Sequence, residues 1–274
     1  MHWVGAVFEL FGIGFAVYGL TIFVRQHWIV FKPSRELVGV PSDFRLPYED
    51  IRLTTSRGVP IRGWWLQSSD SSKVILFFSG SIGNVSHELS TIAFLRTLGA
   101  NVAIVDYPGF GHSGGRPSER GCYEAAEAAW NYVVNVRGRK PEDIILFGRS
   151  VGAAVTAWLA ARYACSALIL HGGLTSVPDV AASIYPVLPA RYFCYIRFNT
   201  RKYLRRCTCP VLVLHSETDT VIPFHHGLRL FDTASEPKQL LRLLGDHYGN
   251  EWQATPSLRQ ALPEFIAGKE RIWT

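Results

Sequence analysis

Residues 144–155 read Ile144-Ile145-Leu146-Phe147-Gly148-Arg149-Ser150-Val151-Gly152-Ala153-Ala154-Val155. This is an apolar strand, a Gly-x-Ser-x-Gly motif and an Ala/Val-rich run typical of a buried helix. A serine on a sharp strand-to-helix turn has strained backbone angles. Small residues are needed beside it because strand and helix pass close together, which accounts for Gly148 and Gly152. The helix begins directly after the serine, so its free N–H groups can stabilise an oxyanion. The stretch predicts that Ser150 is a nucleophile.

A second match to the same motif serves as an internal control. Gly111-His112-Ser113-Gly114-Gly115 follows the turn-rich Asp106-Tyr107-Pro108-Gly109-Phe110 and precedes Arg116-Pro117. The motif alone is common, so its flanks must carry the interpretation. No apolar strand precedes Ser113 and no helix directly follows it, which indicates a loop residue. For Ser150 the alternative is an ordinary serine at a helix N-terminus.

Bulk composition limits the class of protein. At 274 residues with 48% hydrophobic content, the chain can bury one large core as a single α/β domain. The net charge of +6 equals the six cations between Arg191 and Arg206, a segment without an acid. A nucleic-acid binder would carry its basic residues on a recognition motif, and none is visible. The five cysteines include no Cys-x-x-Cys pair, which predicts reduced thiols in or near the core and no metal site.

The N-terminal residues suggest a membrane anchor. Trp3 to Val24 contains one ionisable residue, Glu9, and as a helix it would be about 33 Å long, enough for a bilayer core. Arg25, His27, Lys32 and Arg35 follow it and no Lys or Arg precedes it, which predicts a cytoplasmic position for the rest of the chain. No small-x-small cleavage site ends it, so it is a poor signal peptide. We expect residues 1–30 to form a single-pass anchor; the alternative is an apolar helix docked on the domain or on a dimer partner.

The remaining chain alternates strands and helices. Residues 31–48 contain three prolines and predict an irregular linker before a domain at 49–270. Two short strands joined around Gly58 indicate an antiparallel edge, and from Val74 onward apolar strands alternate with helices. This pattern predicts an α/β fold with a mainly parallel sheet and helices on both faces. Residues 172–209 leave room for a small cap over Ser150. The predicted strands are 51–55, 61–67, 74–78, 102–105, 144–147, 167–170, 211–214 and 239–244; the predicted helices are 87–98, 119–136, 151–163, 223–231 and 256–266.

A serine hydroxyl needs a base, and the base needs an orienting carboxylate. His247 follows the last apolar strand, and Asp219 lies in the loop after strand 211–214, giving the chain order Ser, Asp, His. We therefore predict a Ser150-His247-Asp219 triad. The alternative roles are an exposed loop histidine for His247 and a helix N-cap for Asp219. Other candidates for the acid are Glu217, Asp179 and Asp246, while His171 and His215 suit structural packing.

Together these motifs resemble the α/β-hydrolase superfamily over residues ~45–270, and within it the membrane-anchored hydrolase-domain proteins of the ABHD type. That family carries His-Gly-Asn-x-Gly-Asn after its third strand; this chain has Ser79-Gly80-Ser81-Ile82-Gly83-Asn84. Gly80, Gly83 and Asn84 match, whereas Ser79 and Ser81 depart. The resemblance implies an oxyanion hole formed by the backbone N–H groups of Ser81 and Val151.

A serine at this turn implies acyl transfer to water, from an ester, a thioester or, less often, an amide, with no cofactor. We expect a membrane-anchored serine hydrolase of lipid or acyl-ester substrates. The alternative is a non-catalytic binding or scaffold protein at the membrane. The intact Ser150, Asp219 and His247 argue against that alternative, and Ser79 in the place of the family histidine argues for it.

The second half of the predicted cap mixes aromatic and basic side chains. A segment of this composition can rest on an anionic membrane leaflet. The alternative is a solvated basic helix whose aromatics pack on the domain. The cations are Arg191, Arg197, Arg201, Lys202, Arg205 and Arg206, and the aromatics are Tyr192, Phe193, Tyr195, Phe198 and Tyr203.

Overall fold

The computed structural model describes residues 2–68, 71–185 and 190–268, and the side chains of 2–8, 10, 11, 13 and 190 also lie outside this description. Three parts of the predictions therefore fall outside the described residues. They are the Trp3 side chain at the start of the expected anchor, residues 186–189 of the expected cap, and the last two residues of the domain range.

Within the described chain, the strands are β1 Lys32–Pro33, β2 Glu49–Thr54, β3 Pro60–Leu66, β4 Val74–Phe78, β5 Ile82–Gly83, β6 Asn101–Val105, β7 Ile144–Arg149, β8 Ala167–His171, β9 Val211–Ser216 and β10 Lys238–Leu243. Eight of them form one sheet in the order β10-β9-β8-β7-β4-β6-β3-β2. The hairpin β2–β3 is antiparallel and sits at one edge, β3 is antiparallel to β6, and the other pairings are parallel. This confirms the mainly parallel sheet with an antiparallel edge. The two short strands β1 and β5 pair with each other, separately from this sheet.

Helices cover both faces of the sheet, so its central strands are buried on both sides. Along β4, Val74, Leu76 and Phe78 point into one apolar cluster, while Ile75 and Phe77 point into the other. Successive side chains of a strand face opposite ways, which is why an uninterrupted apolar run encodes this strand. The helices are α1 His2–Val30, α2 Leu89–Arg96, α3 Glu119–Asn131, α4 Val151–Ala160, α5 Val177–Ile184, α6 Ala190–Phe193, α7 Thr200–Leu204, α8 His225–Thr233 and α9 Pro256–Ile266.

Helix ends differ from the predicted ones where side chains intervene. The helix predicted from residue 87 begins at Leu89, after a 3-10 turn at Val85–Glu88. In this turn the Asn84 side chain accepts from the Ser86 N–H. The basic segment 191–206 is not one helix, because α6 and α7 are separated by an extended stretch in which Phe198 is fully buried. The linker is also partly ordered by the short β1–β5 pairing.

Helix α1 docks on the segment around α6. The Phe15 and Phe193 rings are 5.5 Å apart, and Gly19 admits the Phe193 ring where a Cβ would lie 2.6 Å from it. The buried amide of Gln26 donates to the Phe193 carbonyl and accepts from the N–H groups of Tyr195 and Ile196. Over the side chains that are described, no helix combines the length and apolarity needed to cross a bilayer. On the part of the α1 surface that faces away from α6, large apolar side chains are exposed: Val17, Leu20, Val24, Trp28 and Ile29.

Candidate active site

Ser150 lies at the junction of β7 and α4 with φ 55° and ψ −119°. Left-handed φ is costly for a residue with a side chain, so the surrounding structure must impose it. A Cβ at Gly152 would lie 2.0 Å from the Phe78 carbonyl oxygen, and one at Gly148 would lie 2.3 Å from that of Gly152. Both glycines are therefore required by close backbone approach, which confirms the reason given for them from sequence.

The structure brings the three predicted catalytic residues together. The Ser150 Oγ is 3.1 Å from His247 Nε2, and His247 Nδ1 is 2.7 Å from Asp219 Oδ2. The other oxygen of Asp219 accepts hydrogen bonds from the N–H groups of Val221 and Ile222. These bonds fix the carboxylate with Oδ2 towards the ring. His247 Nδ1–H then donates to Asp219, which leaves Nε2 free to accept the serine proton.

The rival carboxylates have other partners. Asp246 accepts the N–H and the hydroxyl of Thr220, and these bonds lower the pKa of Asp246. Glu217 Oε1 forms an ion pair with Arg242 Nη1 at 2.9 Å. Asp179 accepts from the Thr175 hydroxyl, within the segment predicted to be a cap.

The other histidines near the strand ends are packed in the structure. The His171 ring packs at a tilt against Trp252, with ring centroids 4.5 Å apart. Burial, aided by the nearby Arg149 charge, holds the pKa of His171 well below the usual range. His215 Nε2 is 2.8 Å from the Ile222 carbonyl. Burial lowers the pKa of His226 to about 4. These side chains are neutral packing elements at pH 7, as expected for His171 and His215.

The predicted oxyanion donors flank the serine. Val151 opens α4, and the Ser81 loop passes close by, since a Cβ at Gly80 would be 3.4 Å from the Ser150 Cβ. Among the described residues, none accepts a hydrogen bond from the N–H of Ser81 or Val151. Two free donors beside a nucleophile suit a developing oxyanion.

The linker supports this loop from outside. Lys32 N–H donates to the Ser81 carbonyl at 2.8 Å. The Asn84 side chain donates to the Ser34 and Glu36 carbonyls. At Ser79, where the family has histidine, the carbonyl accepts from the Tyr107 hydroxyl at 3.0 Å. All of these hydrogen bonds are accepted by backbone carbonyls, so the contacts that hold the loop do not depend on the side chain at position 79.

Sequence reasoning missed Arg149, the residue before the serine. Its guanidinium is 3.0 Å from Glu88 Oε2 and donates to the His247 carbonyl at 2.8 Å. The side chains of Arg149 and Glu88 are only 11% and 10% exposed. The sequence does carry a signal for Arg149, because it is the one charged residue at the end of an otherwise apolar strand. A buried arginine there must have polar or charged partners. The contact ties the turn that carries Ser150 to the loop that carries His247.

Ser113, in the second motif, is fully buried. Its hydroxyl donates to the Asp106 carbonyl and accepts from the Arg62 N–H. The interpretation of Ser113 as a loop residue is confirmed.

Comparison with known proteins places this arrangement in context. Residues 69–197 match the family model "Serine aminopeptidase, S33". The chain is 35% identical over 217 residues to alpha/beta hydrolase domain-containing protein 17B of Xenopus laevis, covering 78% of this chain and 73% of that protein. Its human counterpart is 34% identical with the same coverage.

Solved structures share the fold at lower identity. An esterase of Pyrococcus furiosus superposes with a TM-score of 0.73 at 19% identity, covering 87% of this chain and 97% of that one. An alpha-beta hydrolase of Vibrio vulnificus gives 0.71 at 20% identity, covering 85% and 88%. These structures support the α/β-hydrolase fold.

Proposed function

This chain belongs to the ABHD-type α/β hydrolases, and from that premise we propose that it is a serine hydrolase of carboxylic esters or thioesters that acts through Ser150, His247 and Asp219. The observation that carries the proposal is the continuous hydrogen-bonded chain from Ser150 Oγ through His247 to Asp219, with contacts of 3.1 Å and 2.7 Å. It begins on a strained serine beside two free N–H donors.

The geometry suits acyl transfer. His247 Nε2 accepts the hydroxyl proton while Ser150 Oγ attacks the acyl carbon, and the N–H groups of Val151 and Ser81 stabilise the oxyanion. The imidazolium that forms is stabilised by Asp219 and then protonates the leaving alcohol or thiol. Water, deprotonated by His247, hydrolyses the acyl-enzyme and regenerates the serine. No cofactor takes part in these steps.

We further propose that the enzyme works at a membrane and takes lipid or acyl substrates. Residues 3–24 would be a single-pass anchor that leaves the domain facing the cytoplasm, and 172–209 would be a cap over the site. The exposed apolar side chains of α1 and the exposed rings of Tyr192 and Tyr195 support a lipid contact. The neighbouring cations at 191–206 favour an anionic leaflet.

The test of the catalytic proposal is labelling by a fluorophosphonate probe, with the labelled peptide identified by mass spectrometry. We expect the label on Ser150, and its loss in Ser150→Ala and His247→Ala. The same proteins are assayed on a panel of esters and thioesters of varied chain length. Labelling of a residue other than Ser150, or hydrolysis that persists in both Ser150→Ala and His247→Ala, would refute the proposal. Folded protein with neither labelling nor hydrolysis would support the scaffold alternative.

The acid has a matched control in the same pair of loops. Asp219→Asn should lower kcat on the order of 10²–10⁴-fold, because the imidazole loses its orienting carboxylate. Asp246→Asn, whose carboxylate binds Thr220 instead, should cost far less. The reverse ranking would reassign the acid.

The membrane proposal is tested on the full chain with vesicles of rising anionic lipid content. Binding should increase with anionic lipid and weaken with salt. It should fall when the exposed cations Lys202, Arg205 and Arg206 are replaced by Gln. Binding that does not depend on lipid charge would refute the proposed contact between the cations and an anionic leaflet. The orientation is tested separately by adding protease outside intact cells: digestion of the domain would show that it faces outward and not the cytoplasm.

A further inference from the structure

Two thiols meet at the end of the sheet opposite to Ser150. Cys165 Sγ and Cys209 Sγ are 3.4 Å apart. Cys165 precedes β8 and Cys209 precedes β9, and these strands are parallel neighbours with Leu168 paired to Val211. The register of the sheet therefore brings both cysteines to its amino-terminal edge.

The pair has an accessible member and an activated member. Cys165 is half-buried, whereas Cys209 is buried. The Cys165 thiol donates to the Cys209 sulfur, and this hydrogen bond lowers the pKa of Cys209 and raises that of Cys165. Thiolates are the attacking species in disulfide exchange, so the Cys209 thiolate can take the proton of Cys165 and leave the more accessible sulfur to attack first, with Cys209 3.4 Å away for the second step. By contrast, burial raises the pKa of Cys122 and Cys207.

We propose that Cys165 and Cys209 are a redox modification site that forms a reversible disulfide with low-molecular-weight disulfides such as oxidised glutathione. Cys165, the more accessible of the two, passes its proton along the hydrogen bond to the Cys209 thiolate and attacks one sulfur of the oxidant, expelling the first glutathione thiolate. Cys209 then loses that proton to solvent and attacks the Cys165 sulfur, forming the protein disulfide and expelling the second glutathione thiolate. The two cysteines lose two protons and two electrons, and the oxidant is reduced to two thiols.

The position of the pair decides what this bond does. The 3.4 Å separation must shorten to about 2.05 Å, a small movement for side chains that already face each other. The disulfide closes the loop 165–209, which contains the whole predicted cap. Cross-linking a loop of this length restricts the unfolded chain, so it should stabilise the fold. The ten-residue helix α4, about 15 Å long, separates the pair from Ser150, so the turnover rate should not change.

The experiment equilibrates the full-length protein in glutathione buffers of increasing oxidised fraction, followed by alkylation and peptide mapping. We expect two fewer alkylated thiols, a cross-linked peptide joining Cys165 to Cys209, and a melting temperature higher by about 5 °C or more. Dithiothreitol should reverse all three changes. Alkylation of every cysteine throughout the series, a link between other cysteines, or an unchanged melting temperature would overturn the proposal.

Variants test the order of steps independently of stability. Cys209→Ser should stop at a stable glutathione adduct on Cys165, while Cys165→Ser should give no disulfide. Cys122→Ser is the matched control, because Cys122 is buried in the core, and it should still form the Cys165–Cys209 bond. Loss of the bond in Cys122→Ser would overturn the assignment. The rate at which the fluorophosphonate labels Ser150 should be the same in oxidised and reduced wild type. A change in this rate would refute the argument that the disulfide leaves the Ser150 site unaffected.

Discussion

Arg149 offers a sharp test of how the catalytic loops are held together. The loop that carries His247 has little cover, since Leu244 and Tyr248 are 53% and 60% exposed. Its contacts include the Thr220–Asp246 bonds and the bond from Arg149 to the His247 carbonyl. The second contact fixes the backbone of His247, the proposed catalytic base. Replacing Arg149 by Met keeps much of the side-chain volume and removes the donor.

The size of the effect follows from the bonds that are lost. A hydrogen bond from a charged donor contributes about 1.5–3 kcal/mol. If that stabilisation holds the imidazole in its reactive position, its loss corresponds to a decrease in kcat of about 10- to 150-fold. KM should change little, because Arg149 is buried below the turn and pairs with protein groups. Arg149→Met also leaves the Glu88 carboxylate buried without its partner, which should reduce stability by roughly 3–5 kcal/mol.

Glu88→Gln separates stability from positioning. It breaks the ion pair but leaves the arginine free to donate to the His247 carbonyl. It should therefore lower the melting temperature while keeping kcat within a few-fold of wild type. Arg149→Lys keeps the charge and can reach one of the two acceptors, so it should restore part of the lost rate.

The assay measures kcat and KM on a short-chain ester, with the rate of fluorophosphonate labelling of Ser150 as a second readout. All variants are compared at a temperature at which thermal melts show each to be folded. If Arg149→Met keeps kcat within twofold of wild type, or if Glu88→Gln loses as much rate as Arg149→Met, the positioning argument is refuted.

Three further predictions concern the fold. Gly152→Ala should destabilise the protein by about 3 kcal/mol or more in urea unfolding, because its Cβ would lie 2.0 Å from the Phe78 carbonyl oxygen; a change below 1 kcal/mol would contradict this. Burial raises the pKa of Asp106 to about 7, so the folded state binds the proton of this carboxyl more tightly than the unfolded state does. This contribution to the free energy of unfolding is fully present below about pH 4 and falls by roughly 4 kcal/mol as pH rises to 7. Asp106→Asn should remove that slope from the free energy of unfolding measured against pH, and parallel curves for both proteins would refute it. Gln26→Leu should speed proteolysis within residues 193–196, since three hydrogen bonds that hold this stretch are lost, and equal cleavage rates would count against the docking role.

The sequence predicts best what short stretches encode. The run Val74–Phe78 is a strand with the predicted ends, because both faces of the sheet are buried and each position demands an apolar residue. The neighbourhood of Ser150 is equally local, since Gly148 and Gly152 are fixed by contacts within a few residues and with the adjacent strand. The meeting of Ser150, Asp219 and His247 follows from placing all three after parallel strands, whose carboxyl ends share one edge.

Contacts between distant segments that do not follow from the shared edge of the sheet could not be predicted from the sequence pattern. The Arg149 partners lie 61 and 98 positions away in the chain, and no periodicity marks such pairs. Gln26 is one polar residue at the end of an apolar stretch, and its importance emerges only when the backbone of 193–196 is placed against it. The two cysteines likewise meet because of the β8–β9 register, which requires the three-dimensional sheet.

The N-terminal segment has two roles, and this determines how the membrane proposal must be tested. Gln26 holds the stretch around α6, while the N–H of Lys32, six residues later, donates to the Ser81 carbonyl in the proposed oxyanion loop. Phe31 between them is buried against Phe198. Removal of residues 1–30 would therefore strip contacts from the cap segment and loosen the support of the active-site loop, so a change in activity could not be assigned to lipid. Substitutions on the outward side of α1 avoid this difficulty, because Leu20, Val24 and Trp28 are exposed. Replacing these three by Ser or Gln should weaken vesicle binding while the labelling rate of Ser150 in detergent stays unchanged. Undiminished binding would show that this face does not contact lipid.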